Sequence, residues 1–244
     1  MNLLSVEERE KYLDWMKKEL AGKKFEQTEI VLCPPFVHLE GFARIESKKI
    51  KLGAQNVFSE SKGAYTGEIS PLMLKNFGCE FVIVGHSERR RYFGESDEEI
   101  NMKMAAALRN GLNAVLCIGE TKKEREDGQV LEVITRQLEM ALFNISRIKA
   151  EHIIVVYEPI WSVGSDDIPT TNEIMEARLI IKKILIKLFS KKYAEQAAII
   201  YGGSVNAKNI NQVCLDAGMD GALVGRESLL PNEFVKIAEL IDKN

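Results

Sequence analysis

The sequence alternates short apolar runs with longer amphipathic stretches, and this alternation constrains the fold more than any other feature. Runs of this kind are typical of parallel strands that are buried on both faces and joined by helices. We predict seven strands, at residues 29–33, 51–55, 80–84, 113–118, 152–157, 197–201 and 221–224. We predict helices at residues 36–47, 98–110, 124–145, 171–189, 207–217 and 231–241.

The chain opens with a helix instead of a strand. Ser5 and Glu8 have the spacing of a capping box, and Met16 and Leu20 recur at helical spacing. A doubly wound sheet could have seven strands, whereas a closed (β/α) barrel has eight, each followed by a helix. No linker or composition break divides residues 1–244. We therefore expect one α/β domain, and a barrel reading of it lacks the first strand.

Composition excludes several classes of protein. The formal net charge is −3 and no basic block is present, which argues against nucleic-acid binding but leaves small anions open. No apolar stretch has the length of a membrane span, and the N-terminus lacks a signal-peptide pattern. The four cysteines are widely spaced, which indicates reduced thiols in a cytoplasmic protein. They are Cys33, Cys79, Cys117 and Cys214. The three histidines lack a metal-ligand spacing, so we predict no metal and no cofactor.

Two predicted strands lead directly into side chains that could carry chemistry. His86 follows the third strand after Gly85, and Glu158 follows the fifth. Side chains at these strand ends meet at one rim of a barrel, where catalytic groups gather. Partial removal from water would make Glu158 a stronger base. The structural alternatives are a packed histidine for His86 and a salt-bridged rim carboxylate for Glu158.

The segment after Glu158 has the composition of a lid. Pro159 and Trp161 stiffen its start, and a polar stretch containing Gly164 continues to Pro169. A loop with stiff ends and a polar tip suits closure over a ligand, and the alternative is a static surface turn.

Small residues follow the last two strands. Gly202, Gly203 and Ser204 follow the sixth strand, and Gly225 follows the seventh. Small residues let backbone N–H groups approach an anion closely. One such loop often marks only a turn, but two after consecutive late strands, with Gly164 in a third loop, favour a phosphate site.

Four segments taken together resemble a known family. They are VGHSERR at residues 84–90, YEPIW at 157–161, YGGSV at 201–205 and GAYTGEIS at 63–70. In this order they are similar to triosephosphate isomerases, and the resemblance covers the chain from residue 1 to its end. It implies a TIM-type barrel with about seven remaining strands, no cofactor and a homodimer. It also implies isomerisation of dihydroxyacetone phosphate and glyceraldehyde 3-phosphate, the triose phosphates of glycolysis and gluconeogenesis.

The resemblance implies roles for individual residues. Glu158 matches the general base, His86 the neutral imidazole that polarises the carbonyl, and Glu88 a supporting carboxylate of the same motif. Thr66 matches the tip of a loop that inserts into a neighbouring subunit. The positions that match the amides holding the phosphate are Gly164, Ser204 and Gly225.

The N-terminus departs from the family pattern. The family's first strand ends in Asn-Trp-Lys-Met-Asn, and this chain starts at the last two residues, Met1 and Asn2. The asparagine and the lysine, which places a cation beside the substrate, are absent from the 244 residues. We expect an open barrel with a mobile N-terminal helix and severely impaired activity. An upstream start, a natural shortening and an unusual oligomer are all compatible with this pattern.

Two loops also depart from the pattern. Arg226 stands where the family usually has a second glycine, and its guanidinium either binds the phosphate or faces solvent. Asp166 and Asp167 occupy the lid tip, where Gly-Lys is common, and make it more acidic.

Two other functions are consistent with the same residues. A non-catalytic sugar-phosphate-binding or scaffolding protein would keep the ligand site without turnover. Another sugar-phosphate barrel enzyme is disfavoured by the joint presence of His86, Glu158 and the two glycine loops.

Overall fold

A computed structural model describes residues 1–45, 50–165 and 167–243, and within them seven strands form one sheet. The strands are β1 (Ile30–Leu32), β2 (Ile50–Ala54), β3 (Phe81–Val84), β4 (Asn113–Ile118), β5 (Ile153–Tyr157), β6 (Ala198–Gly203) and β7 (Ala222–Val224). Each strand is parallel to the next, and their order in the sheet follows their order along the chain. The predicted strands are therefore confirmed, with ends that differ by one or two residues.

The described residues also form ten α-helices. They are α1 (Val6–Glu19), α2 (Leu39–Ala43), α3 (Pro71–Asn76), α4 (Ser87–Phe93), α5 (Asp97–Arg109), α6 (Lys122–Glu126), α7 (Val130–Ala141), α8 (Thr171–Phe189), α9 (Lys191–Ala194) and α10 (Pro231–Asp242). The start of α1 is capped as predicted, since the Ser5 hydroxyl accepts a hydrogen bond from the N–H of Glu8 at 3.1 Å.

Three predicted helices were wrong in extent. The helix predicted at 124–145 is divided into α6 and α7, because Gly128 adopts a φ of 73° that interrupts a right-handed helix. Residues 36–43 form a short 3₁₀ turn followed by α2, and positions 46 and 47 of that prediction lie outside the described residues. The segment 207–217 contains a π-helical turn at Asn211–Leu215.

The sheet curls around an apolar interior. Side chains from β3, β4 and β5 fill it, and Val31 of β1 and Leu223 of β7 pack against the same cluster. Two strands from opposite ends of the sheet can contact one interior only if the sheet bends towards a barrel. This curvature confirms the TIM-type prediction and excludes a doubly wound sheet.

The two end strands are each paired on one side within the described residues, so β1 and β7 flank an unpaired gap. The side chains of Tyr12 and Met16 of α1, and of Leu20 directly after it, are buried in one cluster with Ile30 of β1 and Val235 of α10. These contacts cover the outer side of the gap. Such deep burial favours a docked α1 over the mobile helix expected from the sequence.

The C-terminal helix is joined to the start of β1 by one carboxylate. Asp242 accepts hydrogen bonds from the N–H groups of Glu26, Gln27 and Thr28 at 3.1, 2.9 and 2.7 Å. These backbone hydrogen bonds lower the pKa of Asp242. The C-terminal helix is therefore tied to the segment that leads into β1.

Candidate active site

His86 and Glu158 meet at the C-terminal rim of the sheet. Nε2 of His86 lies 2.9 Å from Oε1 of Glu158, and the N–H of Ser87 donates to Oε2 at 3.0 Å. The carboxylate is nearly enclosed, with 4% of the Glu158 side chain exposed against 24% for His86. The structure thus brings together the two residues that the sequence placed at separate strand ends.

A backbone contact orients the imidazole. The N–H of Glu88 points at Nδ1 of His86 at 3.4 Å, as part of the first turn of α4. Nδ1 can accept this hydrogen bond only when it carries no proton, so in the neutral ring Nε2 carries the proton and donates to Glu158. This tautomer presents an N–H group to the centre of the site.

The Glu88 side chain makes a weaker contact. Its carboxylate lies 3.8 Å from Nδ1 of His86 and is 64% exposed. The main contribution of Glu88 to this geometry is therefore its backbone amide.

Two opposing effects act on His86. Burial alone lowers the pKa of the imidazole, but the hydrogen bond and charge of Glu158, together with the charge of Glu88, raise it above its usual value. A substrate that displaced Glu158 from Nε2 would remove part of this effect and return the ring towards its neutral form.

Two glycines, Gly119 and Gly202, pack closely against the segment that carries Glu158. A methyl group at Gly119, which follows β4, would overlap the carbonyl oxygen of Glu158. One at Gly202 of β6 would lie 2.6 Å from Val156 and 3.6 Å from Cβ of Glu158. Glycines on both neighbouring strands therefore fix where the carboxylate emerges.

A buried carboxylate that we did not predict anchors the start of the lid. Glu120 is fully buried and accepts hydrogen bonds from Trp161 Nε1 at 2.9 Å and from the Tyr157 hydroxyl at 3.1 Å. Arg125 completes the cluster with an ion pair at 3.0 Å. Glu120 lies two residues after the end of β4, as His86 lies two residues after the end of β3. This position near a strand end is a signal that could have identified Glu120.

The far end of the lid has its own contacts. Asp167 forms an exposed ion pair with Lys122 of α6 at 3.0 Å, and the carbonyl of Pro169 accepts a hydrogen bond from Gln212 at 3.2 Å. Asp166, the other acidic residue predicted at the lid tip, lies outside the described residues.

The lid meets two other loops, which follow β6 and β7. The hydroxyl of Ser204 donates to the carbonyl oxygen of Ser162 at 2.9 Å, and a methyl group at Gly164 would lie 3.9 Å from Nη2 of Arg226. Gly225 and Arg226 are exposed. Within the described residues, the amides of Gly164 and Ser204 donate no internal hydrogen bond. These amides are available to an anion.

Met1 lies at the mouth of the sheet, next to the end of β1. Nε2 of Gln55 donates to the carbonyl oxygen of Met1 at 2.5 Å and to that of Cys33 at 2.9 Å. Burial lowers the pKa of the Met1 amino group, and the charges of Cys33 and Glu88 oppose this shift. The shared hydrogen bonds of Gln55 place Met1 beside the ends of β1 and β2.

Comparison with known proteins identifies relatives of this chain. The family model described as triosephosphate isomerase matches residues 1–241. The chain belongs to the triosephosphate isomerase family. It is 44% identical over 218 residues to the triosephosphate isomerase of Dictyoglomus turgidum, covering 89% of this chain and 87% of the relative. It is 46% identical over 223 residues to that of Dehalococcoides mccartyi, covering 91% and 86%.

The family that the four sequence segments indicated is therefore confirmed, and its named members are isomerases. No helix among the described residues is long and apolar enough to cross a membrane. The described residues likewise contain no group of three side chains suited to hold a metal ion.

Proposed function

We propose that His86 and Glu158 are the catalytic residues of a triose phosphate isomerase site. The observation that carries the proposal is the 2.9 Å contact between Nε2 of His86 and Oε1 of Glu158, with Ser87 fixing the second carboxylate oxygen. A base and a hydrogen-bond donor this close can act on adjacent atoms of one small substrate.

The reaction needs one proton to move between neighbouring carbons and another to move between the oxygens that those carbons carry. Glu158 removes a proton from the hydroxymethyl carbon of dihydroxyacetone phosphate, and the electron pair forms an enediolate. Nε2–H of His86 donates to the oxygen that gains charge, while the amide of Glu88 keeps Nδ1 free of a proton. Glu158 returns the proton to the adjacent carbon, while the hydroxyl proton of the first carbon passes to the oxygen of the second through Nε2 of His86. These transfers yield glyceraldehyde 3-phosphate and regenerate the carboxylate and the neutral imidazole.

The phosphate of the substrate binds where the three loops converge. Gly164, Ser204 and Gly225 supply its backbone N–H groups in this proposal, which is supported by the free amides of Gly164 and Ser204 and by the side chain of Arg226 next to Gly164. Backbone N–H groups on small residues hold a dianion without a metal. The lid that starts at Trp161 would close over the bound substrate.

We also propose that the 244 residues alone are severely impaired as an enzyme. The lysine that the family places beside the substrate is absent from them. Loss of one preorganised donor costs about a hundredfold to a thousandfold in rate, and a cation facing a dianion contributes at least as much. If so, the chain could act as a sugar-phosphate-binding protein, because its anion loops do not depend on that lysine.

An N-terminal extension tests both proposals. Because Met1 lies beside the end of β1, a strand joined to it would run along the gap between β1 and β7. We expect an apolar strand ending in Asn-x-Lys to raise isomerase activity at least a hundredfold. The same extension with alanine in place of the lysine is the matched control. A folded extended chain that gains no activity would contradict the isomerase proposal and favour the binding protein.

A homodimer in the cytoplasm completes the proposal. Thr66 lies on an exposed loop, residues 63–68, braced by a ring contact between Tyr65 and Phe58 at 4.6 Å. An exposed, braced loop can insert into a second copy through an isologous interface. Sedimentation equilibrium of the wild type and Thr66→Arg tests this. A wild-type monomer at micromolar concentration would contradict it.

A further inference from the structure

The side chain of Arg226 is exposed and unpaired beside the lid. Within the described residues its guanidinium forms no hydrogen bond, ion pair or ring contact. Other arginines near the rim are occupied: Arg90 pairs with Asp97 at 2.6 Å, and Arg125 pairs with Glu120 at 3.0 Å. Arg226 is therefore a cation that remains available to a ligand.

The backbone of Arg226 places this cation beside the anion loops. Arg226 begins a 3₁₀ turn after Gly225, and the Ser228 hydroxyl and N–H both bond back to the carbonyl of Gly225 at 2.6 and 3.0 Å. These two bonds fix the turn. The guanidinium then reaches Gly164, with Nη2 3.9 Å from a methyl group placed there.

Asp167, the acidic residue of the lid that the structure describes, has a partner other than Arg226. Asp167 is paired with Lys122 on α6 at 3.0 Å. It therefore does not compete with an anion for Arg226.

We infer that Arg226 is a specificity-determining residue for a phosphate monoester, and that a bound phosphate joins the β7 loop to the lid. This inference rests on the proposed anion site. A guanidinium presents two parallel N–H groups that match two oxygens of a phosphate, which a lysine ammonium cannot do. A phosphate held by Arg226 on one side and by the amide of Gly164 on the other would restrain the lid. These contacts would not add binding affinity for an uncharged three-carbon ligand, which has no phosphate oxygens to accept the hydrogen bonds.

Calorimetry on the 244-residue protein tests the affinity with inorganic phosphate and glycerol 3-phosphate as probes, and with glycerol as the uncharged control. We expect Arg226→Ala and Arg226→Gly to weaken phosphate binding about tenfold or more, and Arg226→Lys by about threefold. Lys24→Ala, at the opposite rim, removes the same charge and should change the affinity less than twofold.

The fluorescence of Trp161 tests the restraint of the lid. The sequence has two tryptophans, so Trp15→Phe leaves Trp161 as the single reporter. Phosphate should change the Trp161 emission in this background, and Arg226→Ala should shift the midpoint to higher concentration.

The outcomes separate this inference from the proposed function. If phosphate binds equally well to wild type and Arg226→Ala, the role of Arg226 is overturned and the anion site stands. If phosphate binds without changing the Trp161 emission, the link to the lid is overturned. If the wild type binds neither probe, the anion site and this inference both fail. The activity of the extended chain reports on the isomerase reaction independently.

Discussion

Oε1 of Glu158 accepts a hydrogen bond from Nε2 of His86 across the end of an intervening strand. His86 follows β3 and Glu158 follows β5, so β4 lies between them in the sheet. In the ligand-free site the two groups satisfy each other, and a substrate must enter between them. The relationship predicts how each residue responds to substitution and to pH.

Glu158→Gln should abolish most of the isomerase activity of the extended chain. The amide keeps the shape of the side chain but cannot remove a proton, and general-base catalysis contributes about a hundredfold to ten-thousandfold. Glu88→Gln is the matched control, because its exposed side chain lies 3.8 Å from His86 and its amide is retained. Steady-state kinetics should show a loss of less than about tenfold for the control, and comparable losses in the two variants would refute the assignment.

His86 should titrate above the usual histidine range in the ligand-free protein. The carboxylate of Glu158 favours the protonated ring, so Glu158→Gln should lower the pKa of His86, as followed by NMR of the imidazole. A raised pKa stabilises the fold fully below the unfolded-state value, and this contribution is lost as the pH rises through the folded-state pKa. The free energy of unfolding of the wild type should therefore exceed that of Glu158→Gln mainly at acidic pH. An unchanged His86 titration in the variant would argue against the direct contact.

Gly119→Ala should damage both the fold and the site. The added methyl group would overlap the carbonyl oxygen of Glu158, and overpacking of this kind costs about 1–3 kcal/mol. Gly221→Ala is the control, since its methyl group would meet Ile200 at an ordinary 3.4 Å. Urea unfolding should separate the two variants, and equal midpoints would show that the backbone of Glu158 moves freely.

Asp242→Asn should make the protein less stable at neutral pH and should flatten its acid response. Hydrogen bonds from the backbone of residues 26–28 lower the pKa of Asp242. A lowered pKa contributes stability above the unfolded-state value, and the contribution disappears as the pH falls through the folded-state pKa. Asp14→Asn, on the exposed side of α1, is the control. Unfolding at pH 7 and pH 3 is the measurement, and a pH-independent difference would rule out a charge effect.

Hydrogen exchange should distinguish the edge strands from the centre of the sheet. Amides of β1 and β7 face the unpaired gap, whereas those of β3 lie between two strands. We expect the backbone of residues 222–224 to exchange faster than that of residues 81–84. Equal protection would show that the gap is sealed in solution.

The strands and most long helices followed directly from the sequence. Four to six consecutive apolar residues, as at Phe81–Val84, are enough to indicate a buried strand. The helices α3 and α4 were missed because six or seven residues do not establish a helical period.

The sequence identified individual residues of the site, but it did not predict which of them are in contact. Strand ends identified His86 and Glu158 separately, yet their contact depends on the curvature of the sheet and on the absence of a side chain at Gly119. Neither the curvature of the sheet nor the close approach at Gly119 produces a periodic pattern in the sequence. The strand-end position of Glu120 could have marked it as a candidate, but nothing in the sequence links it to its partner Trp161, 41 positions away.

The contacts among α1, β1 and α10 have a consequence for how the protein opens. These elements come from the two ends of the chain but share one apolar cluster and the hydrogen bonds of Asp242. They should unfold together as one cooperative unit, separate from the strands that carry His86 and Glu158. A local opening event could then expose the edges of the sheet while the catalytic pair stays assembled.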